Sequence, residues 1–382
     1  MRASITIGGG YGDEGKGSFV NYLCGIGKNP LVIRFNGGQQ TGHTVVYNNT
    51  RHVFSNFGSG TLKGIPTYWS EYCTVSPMGI YKEGNALREK YVTPVIYFNA
   101  NAMVTTPFDI FKNHMNEKTN QHGTVGVGFG TTIQRNEDHY HLYVRDLQYP
   151  AIRDEKLRLI IENYYGYSGN LAEAAQKIVD DFKRDCDDLV SRYKIVNNLY
   201  SLSQYDHLIF EGGQGILLDM KYGFFPNVTR SNTTSENALK IIETLKIPSD
   251  NLHITTYYIT RAYQTRHGNG YMTNIDLDTS YIIENPLETN VNGGLQGEFR
   301  KSVLDLDLLK YAVECDKYHN PDSRKVLVIT CLDQISTEKI PVTQNGELCM
   351  IPEDEIGINI GVYNSLYSRS DRGVVEHNKY MV

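Results

Sequence analysis

The chain has 382 residues, of which 40% are hydrophobic, and a net charge of −6. This length can bury one large α/β core or two smaller ones, and the negative charge offers no bulk attraction to nucleic acid or anionic membranes. No apolar run approaches the roughly 20 residues that span a bilayer, and the six scattered cysteines favour a reducing compartment. Because a strand is predicted almost at the first residue, we expect no signal peptide and a cytoplasmic location.

A glycine-rich segment at residues 8–18, which we call the phosphate loop, is the first conspicuous feature. It follows an apolar run at residues 3–7 that predicts a strand, and it precedes residues 19–24, whose apolar positions have helical spacing. A glycine-rich turn between a strand and a helix can close its backbone N–H groups around phosphate oxygens. The segment therefore predicts nucleotide binding.

Within the phosphate loop, Gly10 to Lys16 fit the spacing G-x-x-x-x-G-K, but Gly17 stands where Ser or Thr usually binds magnesium. Asp13 and Glu14 add negative charge to a loop that is built for anions. Such charge would repel phosphate unless a metal ion or a proton transfer requires it. The loop thus indicates chemistry in addition to binding.

Further strands and helices are predicted in alternation along the chain. Apolar runs indicate strands at residues 30–35, 93–98, 207–210, 252–259 and 326–330, with shorter strand-and-loop pieces at 53–60 and 72–77. Helical periodicity over residues 154–193 predicts a solvated hairpin that covers the sheet. Polar or glycine-rich segments follow most strands, at residues 36–44, 122–132, 211–215, 226–234, 261–268 and 331–333. This pattern predicts a parallel α/β sheet with its site along one edge, in a single domain of residues 1–382 with inserted loops.

Taken in chain order, these motifs closely resemble the adenylosuccinate synthetase family. The residues that carry the resemblance are Gly12-Asp13-Glu14-Gly15-Lys16-Gly17, Gly42-His43-Thr44, Glu211-Gly212-Gly213-Gln214-Gly215, Leu217-Leu218-Asp219, Pro226, Val228-Thr229, Ser231-Asn232-Thr233-Thr234, Ala262-Tyr263, Thr265-Arg266, Thr330, Leu332-Asp333, Ser368 and Asp371-Arg372. The ordered set spans essentially the whole chain. It implies a P-loop-NTPase-like fold with a mostly parallel central sheet flanked by helices.

The resemblance also implies a reaction. Family members use GTP and Mg²⁺ to phosphorylate the 6-oxygen of a purine nucleotide, and the amino group of L-aspartate then displaces that phosphate. By resemblance, Asp13 would remove the N1 proton and bind Mg²⁺ together with the carbonyl of Gly42. His43 would donate to the 6-oxygen, and Lys16 would hold the transferring phosphoryl group.

The site residues implied by the family fall into four groups. The catalytic residues would be Asp13, Lys16, His43 and Gln214. GTP would contact Gly12, Glu14, Gly15, Lys16, Gly17, Gly42, Thr44, Asp333 and Ser368, with Asp333 accepting from guanine. The purine nucleotide would contact Asp13, Gln40, Thr124, Val125, Gln214, Thr229 and His267. L-Aspartate would contact Gln296, Gly297 and Arg300.

Structural alternatives exist for several of these residues. Asp13 could cap the following helix, as Asp often does. His43 in isolation would be an ordinary loop histidine, and Asp333 could simply end a strand. Glu211 and Arg266 are better explained as members of structural ion pairs than as catalysts.

The family also forms homodimers in which an arginine of the partner subunit contacts the nucleotide phosphate. His139 aligns with that position, and Arg135 is the nearest substitute, while Arg145 is a further candidate. The sequence leaves this choice open. The oligomeric state is not fixed by the sequence, and a homodimer with a shared site is what the family resemblance implies.

Departures from the family pattern concentrate around the substrates. Gln40 replaces an Asn and Val125 a Thr, and Glu298 replaces the first of four arginines in the aspartate loop, an arginine that also contacts the ribose 2′-hydroxyl. A carboxylate would repel L-aspartate, so Glu298 should point away, and losing the 2′-hydroxyl partner would admit a deoxyribose. These departures resemble the phage-encoded branch of the family that acts on dGMP.

Two features separate this chain from many phage members, which lose the catalytic Asp and favour ATP. Asp13 is retained, and Asp333 favours GTP over ATP. We therefore expect a dGMP enzyme that uses GTP, with an ordinary IMP enzyme as the alternative. A nucleotide-binding regulator without ligase activity is the alternative from another class, and an unrelated P-loop kinase is disfavoured by Gly17.

Overall fold

The computed structural model describes residues 1–120, 123–167, 171–290, 292–370 and 375–377. Its strands are β1 (Arg2–Gly8), β2 (Pro30–Arg34), β3 (His43–Tyr47), β4 (Thr50–Phe54), β5 (Thr67–Trp69), β6 (Thr74–Val75), β7 (Ile96–Asn99), β8 (Met103–Val104), β9 (Lys194–Val196), β10 (His207–Glu211), β11 (His253–Arg261), β12 (Gln264–His267), β13 (Phe299–Ser302), β14 (Leu304–Asp305), β15 (Arg324–Thr330), β16 (Ile340–Gln344), β17 (Glu347–Ile351), β18 (Ser365–Ser368) and β19 (Val375–His377). Its α-helices are α1 (Lys16–Ile26), α2 (Pro77–Glu89), α3 (Pro107–Asn120), α4 (Phe129–Glu137), α5 (Pro150–Leu159), α6 (Glu173–Arg192), α7 (Glu236–Glu243), α8 (Leu306–Lys317) and α9 (Glu353–Asn359).

Ten strands form one central sheet in the order β19-β18-β15-β11-β1-β10-β2-β5-β7-β9. Neighbouring strands are parallel except for β18 and β19. Thr6 of β1 is in register with Glu211, and Arg261 with Thr330, so the carboxyl ends of the central strands meet at one edge. The predicted mostly parallel sheet flanked by helices is confirmed.

The central strands are buried on both faces, which explains why they read as continuous apolar runs in the sequence. On one face, Phe19, Val20 and Leu23 of α1 pack in a cluster that includes Val32 and Ile209 of the sheet. Each such side chain contributes about 1.5–3 kcal/mol when fully buried. Packing of α1 therefore fixes the position of the phosphate loop that precedes it.

Two predictions of local structure need correction. The segment at residues 122–132 was predicted as a loop, but α4 begins at Phe129, because Gly128 adopts a left-handed φ of 80° that starts the helix; His122 lies outside the described residues. The helical hairpin is confirmed as α5 and α6, but a π-helical turn at Ile160–Tyr164 follows α5. Strand β9, directly after α6, was not predicted.

The sheet takes strands from β1 to β19, close to both ends of the numbered chain. The single-domain organisation stays a prediction. Across the described ranges, every helix is too short or too polar to cross a membrane.

Candidate active site

A cavity of ≈ 900 Å³ opens at the carboxyl edge of the central strands. It brings together most of the predicted site residues, namely Gly12, Asp13, Glu14, Gly15, Lys16, Gly17, Gln40, Gly42, His43, Thr44, Thr124, Val125, Gln214, Thr229, His267, Gln296, Asp333 and Ser368. Among the described residues, the predicted ligands Gly297 and Arg300 lie outside its lining. One cavity thus collects groups predicted for three different substrates.

The phosphate loop contains its own anion. The carboxylate of Glu14 accepts hydrogen bonds from the backbone N–H groups of Gly12 at 2.8 Å and Gly10 at 3.1 Å, and it forms an ion pair with the ammonium of Lys16. Glu14 and Lys16 are both almost fully buried. Glu14 therefore fills part of the phosphate loop, which accounts for one of the two acids that the sequence left unexplained.

Glycines let helix α1 start close to the second glycine-rich loop. Gly15 caps α1 with a left-handed φ of 84°, a conformation that costs glycine little. A Cβ on Gly17 would lie 2.6 Å from the Cβ of His43. Gly17 is therefore required by this close approach, which explains the departure from the usual Ser or Thr.

Asp13 does not cap α1, since Gly15 holds that position. Asp13 itself has a left-handed φ of 63°, and its backbone carbonyl accepts a hydrogen bond from Nε of Arg261 at 2.6 Å. Its carboxylate lies 3.7 Å from Nδ1 of His267. Burial raises the pKa of Asp13, and the nearby charges of Arg261 and His267 oppose that rise. A raised pKa suits a group that accepts a proton near neutral pH.

His43 begins β3 and contacts Glu211 through Nδ1. Glu211 also accepts from the backbone N–H of Ser59 at 3.0 Å and contacts the hydroxyl of Ser59. Burial opposes ionisation of Glu211, but His43 and Arg34 outweigh it and lower its pKa to about 2. Burial lowers the pKa of His43, and Glu211 opposes this lowering without reversing it. We conclude that Glu211 is ionised and orients the imidazole of His43.

Several buried polar atoms that line the cavity have no hydrogen-bond partner within the described residues. They are both amide atoms of Gln40, Oε1 of Gln214 and both ring nitrogens of His267. Buried polar atoms without partners are costly and uncommon in folded proteins. Their convergence on one cavity indicates a polar ligand that supplies the missing hydrogen bonds.

Two predicted contacts to the guanine of GTP lie at the carboxyl ends of neighbouring strands. Asp333 belongs to a 3-10 turn that follows β15, and Ser368 ends β18, which pairs with β15. Thr330 at the end of β15 donates to the backbone carbonyl of Glu14 at 2.8 Å. The strand that carries Asp333 is therefore attached directly to the phosphate loop. Of the C-terminal motif, Asp371 and Arg372 lie outside the described residues.

The third substrate region is residues 285–290 and 292–301, which we call the substrate segment. Glu298 is exposed and lies outside the cavity lining, and that it points away from L-aspartate stays a prediction. Arg300 donates to the backbone carbonyls of Gly268 at 2.7 Å and Gly270 at 2.9 Å. Nη2 of Arg300 is thus occupied, whereas its buried Nε has no hydrogen-bond partner among the described residues, and its contact with L-aspartate stays a prediction.

The candidates for a residue shared between subunits differ in exposure. Arg135 is fully buried and forms an ion pair with Asp109 at 2.9 Å, so it is a structural residue and the interpretation of it as the nearest substitute is wrong. His139 and Arg145 are exposed. The predicted ion pair of Arg266 is also wrong, because its guanidinium donates to backbone carbonyls, including that of Tyr271 at 2.8 Å.

Sequence reasoning missed several charged residues of the cavity lining, among them Arg261 and Glu288, which form an ion pair at 2.9 Å. A charged residue at the end of a buried strand was a usable signal for Arg261. Glu288 lies in a region without strand or helix periodicity, so no signal in the sequence identified it.

The donor atoms at the edge of the cavity also fit a magnesium ion. Asp13 and Gly42, the predicted metal ligands, both line the cavity. The described residues contain no cluster of three or more His, Cys, Asp or Glu side chains that could hold a metal by themselves. Mg²⁺ binds through one or two carboxylates together with substrate phosphates, so this sparse set suits it.

The glycine-rich loop after the central strand, with its buried lysine and converging polar groups, defines a nucleotide-binding α/β protein. The family model described as adenylosuccinate synthetase matches residues 5–351, and the chain belongs to the adenylosuccinate synthetase family. The resemblance in the sequence is therefore confirmed at the level of the family.

Relatives of known function agree with this assignment. The chain is similar to the adenylosuccinate synthetase of Borrelia turicatae, with 30% identity over 249 residues, 61% of this chain and 56% of that protein. It is 27% identical to the Buchnera aphidicola enzyme over 363 residues, 88% of this chain and 82% of that protein. The match thus spans little more than half the length of the Borrelia relative.

Two solved structures share the fold. Fully ligated adenylosuccinate synthetase from Plasmodium falciparum has a TM-score of 0.69 and 19% identity, over 98% of this chain and 86% of that chain. Cyanophage S-2L succinoaminodeoxyadenylate synthetase, bound to dGMP and to dATP as an energy donor, has a TM-score of 0.63 and 14% identity, over 98% of this chain and 95% of that chain. At these identities the structures show the fold alone.

Proposed function

We propose that this protein is a ligase that joins a 6-oxopurine nucleotide to L-aspartate. The γ-phosphoryl group of GTP passes to the 6-oxygen of the purine, and the amine of L-aspartate then displaces it at C6. The products are an aspartate-substituted purine nucleotide, GDP and inorganic phosphate. The observation that carries this proposal is the single cavity that joins the phosphate loop, Asp13 and His43 in a member of this family.

Each of these residues suits one part of the reaction. Asp13 removes the N1 proton, and its raised pKa lets it hold that proton. His43, oriented by ionised Glu211, donates to the 6-oxygen as negative charge develops there. Lys16 and the N-terminus of α1 stabilise the transferring phosphoryl group.

Asp13 and the carbonyl of Gly42 would hold the Mg²⁺ ion, which neutralises charge on the phosphate oxygens when bound. Lys16 must then divide its charge between phosphate and Glu14. Because Glu14 occupies the amides of Gly10 and Gly12, the remaining loop amides are left to bind the phosphate.

We further propose dGMP as the preferred nucleotide and GTP as the donor. Glu298 replaces the family arginine that contacts the 2′-hydroxyl, and its exposed position leaves that hydroxyl without the expected donor. The unpartnered atoms of Gln40 and His267 supply polar groups for a purine substituent. Asp333 supports GTP over ATP, and the family supports a homodimer in the cytoplasm.

IMP is the second candidate substrate, because the named relatives are adenylosuccinate synthetases. The purified protein should be supplied with GTP, Mg²⁺ and L-aspartate, and with IMP, dIMP, GMP or dGMP in separate assays of product formation. The highest kcat/KM should be obtained with dGMP. A clear preference for IMP would reject the dGMP assignment while keeping the ligase.

Phosphate release distinguishes a ligase from a nucleotide-binding regulator. A ligase releases phosphate from GTP only when both L-aspartate and a 6-oxopurine nucleotide are present. Binding of the nucleotides without any such release, for all four purine nucleotides, would favour the regulator and overturn the proposed reaction.

A further inference from the structure

Arg261 ends β11 beside the phosphate loop and makes three separate hydrogen bonds. Nε donates to the backbone carbonyl of Asp13 at 2.6 Å, and Nη1 donates to the hydroxyl of Tyr263 at 2.8 Å and to Glu288 at 2.9 Å. Its side chain is only 6% exposed although it lines the cavity. A planar guanidinium can hold several acceptors in fixed directions, which a lysine ammonium cannot.

Glu288 continues this connection into the substrate segment. One carboxylate oxygen binds Arg261, and the other accepts from the backbone N–H groups of Thr289 at 2.9 Å and Asn290 at 3.1 Å. Burial raises the pKa of Glu288, but Arg261 and these amides outweigh burial and lower it. Glu288 is therefore an ionised residue that fixes the backbone of its own loop.

The substrate segment approaches other parts of the site at two further places. The hydroxyl of Thr289 lies 2.9 Å from the hydroxyl of Thr44, directly after His43. At the other end, the guanidinium of Arg261 lies 5.7 Å from the ring centre of Phe299, the residue before Arg300. Arg261 thus contacts residues near both ends of the substrate segment while it binds the backbone of Asp13.

We infer that the Arg261–Glu288 pair positions the substrate segment against the phosphate loop and so sets the affinity for L-aspartate. This inference deepens the proposed function and rests on it for the identity of the substrate. Neither residue performs chemistry: both are positioning residues. Because the segment carries the predicted L-aspartate ligands and the purine contacts lie elsewhere, loss of the pair should affect one substrate selectively.

Steady-state kinetics with Glu288→Ala and Glu288→Gln test this selectivity. Glu288→Ala should raise KM for L-aspartate about 10-fold or more, the size expected when a hydrogen bond to a charged group is lost. The kcat and the KM values for GTP and the purine nucleotide should change by less than about 3-fold. Glu288→Gln keeps an oxygen for the amides but not the charge, so its effect should be smaller.

Arg261→Lys and an exposed control complete the series. Lysine keeps the charge but cannot reach all three acceptors, so Arg261→Lys should raise KM for L-aspartate, and adding Glu288→Ala should cause less than the product of the two effects. Glu338→Ala, on an exposed turn outside the cavity, should match the wild type. Equal changes in the KM values for all substrates, or an unchanged KM for L-aspartate, would overturn the inference.

Hydrogen exchange gives a readout that does not depend on ligase activity. In Glu288→Ala and Arg261→Lys, amides of the substrate segment should exchange faster, while those of β1 and α1 keep wild-type rates. Unfolding temperatures measured alongside would identify a variant that fails to fold. If the wild type shows no ligase activity, the proposed reaction fails, and unchanged exchange in the segment would separately reject the positioning role.

Discussion

The phosphate loop and the substrate segment meet at the same cavity but are held in different ways. The phosphate loop follows the central strand β1 and is tied to β11 through Arg261 and to β15 through Thr330. The substrate segment is held by the short antiparallel pair of β12 and β13, by Glu288 and by the contact of Thr289 with Thr44. Glu14 is 3% exposed in the phosphate loop, whereas Leu287 is 56% exposed in the substrate segment.

In the proposed reaction, this difference would separate phosphoryl transfer from substrate specificity. Phosphoryl transfer depends on groups held in fixed positions, and the edge of a parallel sheet provides them. A segment held by few contacts can change its side chains without disturbing the core. The departures from the family pattern at Glu298 and its neighbours fall in the substrate segment, while Asp13 and Lys16 keep the family pattern in the phosphate loop.

The largest effect on activity should follow from a change in the phosphate loop. Asp13→Asn removes the base but keeps the size and the left-handed backbone, which Asn tolerates. The bond from Arg261 is to the backbone carbonyl, so the fold should be retained. We expect kcat to fall by about 100- to 10,000-fold. Stopped assays of phosphate release would measure this loss. Asp322→Asn, at an exposed position, is the control. Activity of Asp13→Asn within 10-fold of the wild type would exclude Asp13 as the base.

The fold could be predicted from sequence because central strands buried on both faces form continuous apolar runs. Residues 3–7, 30–35, 207–210, 252–259 and 326–330 correspond to β1, β2, β10, β11 and β15. The start of α4 could not be predicted, because the small residues near Gly128 give no apolar period. Strand β9 is short and has an exposed first residue, so its sequence carries little signal.

The candidate site could be predicted where a motif fixes the backbone, and the cavity lining includes the predicted residues of the first two glycine-rich loops. The hydrogen bonds of Glu14 depend on the backbone conformation of its own loop, and those of Arg300 to backbone carbonyls depend on tertiary contacts. No residue spacing in the sequence reveals either set. Arg135 shows the same limit, since its pairing with Asp109 is visible only in three dimensions.

Glu211→Gln tests how far the edge of the sheet beside the phosphate loop depends on a buried negative charge. Glutamine can still contact His43, but Arg34 loses a neighbouring anion, so we expect about 3 kcal/mol of destabilisation and a loss of activity of about 10- to 100-fold. Glu347→Gln, at an exposed position, should change neither stability nor activity.

The stability that Glu211 contributes should also depend on pH. Its folded pKa of about 2 lies below the ordinary 4.5, so its contribution to the free energy of unfolding is full above pH 4.5 and is lost as pH falls toward 2. Urea unfolding between pH 7 and pH 3 should show the difference from the wild type shrinking below pH 4.5; a difference that does not depend on pH would contradict an ionised Glu211.

Glu298→Arg tests the substrate segment in the opposite direction, by adding a donor instead of removing a group. An arginine here would supply the 2′-hydroxyl contact of the ordinary family, so the ratio of kcat/KM for GMP to that for dGMP should rise about 10-fold, the value of one hydrogen bond. The core should be unaffected because Glu298 is exposed. Glu298→Gln is the matched control, since it removes the charge without adding the long donor. An unchanged ratio would show that another residue selects the sugar.

Asp333→Ala should have the smallest effect on activity. It tests the comparison between the phosphate loop and the substrate segment, because Asp333 would select the phosphate donor from the edge of the sheet beside the phosphate loop. The residue follows β15, whose last residue Thr330 is bonded to the phosphate loop, so its position is as well defined as that of the catalytic groups. If its carboxylate accepts from guanine, alanine should lower the preference for GTP over ATP about 10-fold or less and leave the KM for L-aspartate unchanged. Competition between GTP and ATP at fixed dGMP and L-aspartate measures this preference. A reduced preference would mean that residues at the edge of the sheet select the phosphate donor, and that the substrate segment selects only the nucleotide that accepts the phosphate. An unchanged preference would remove Asp333 from the donor site.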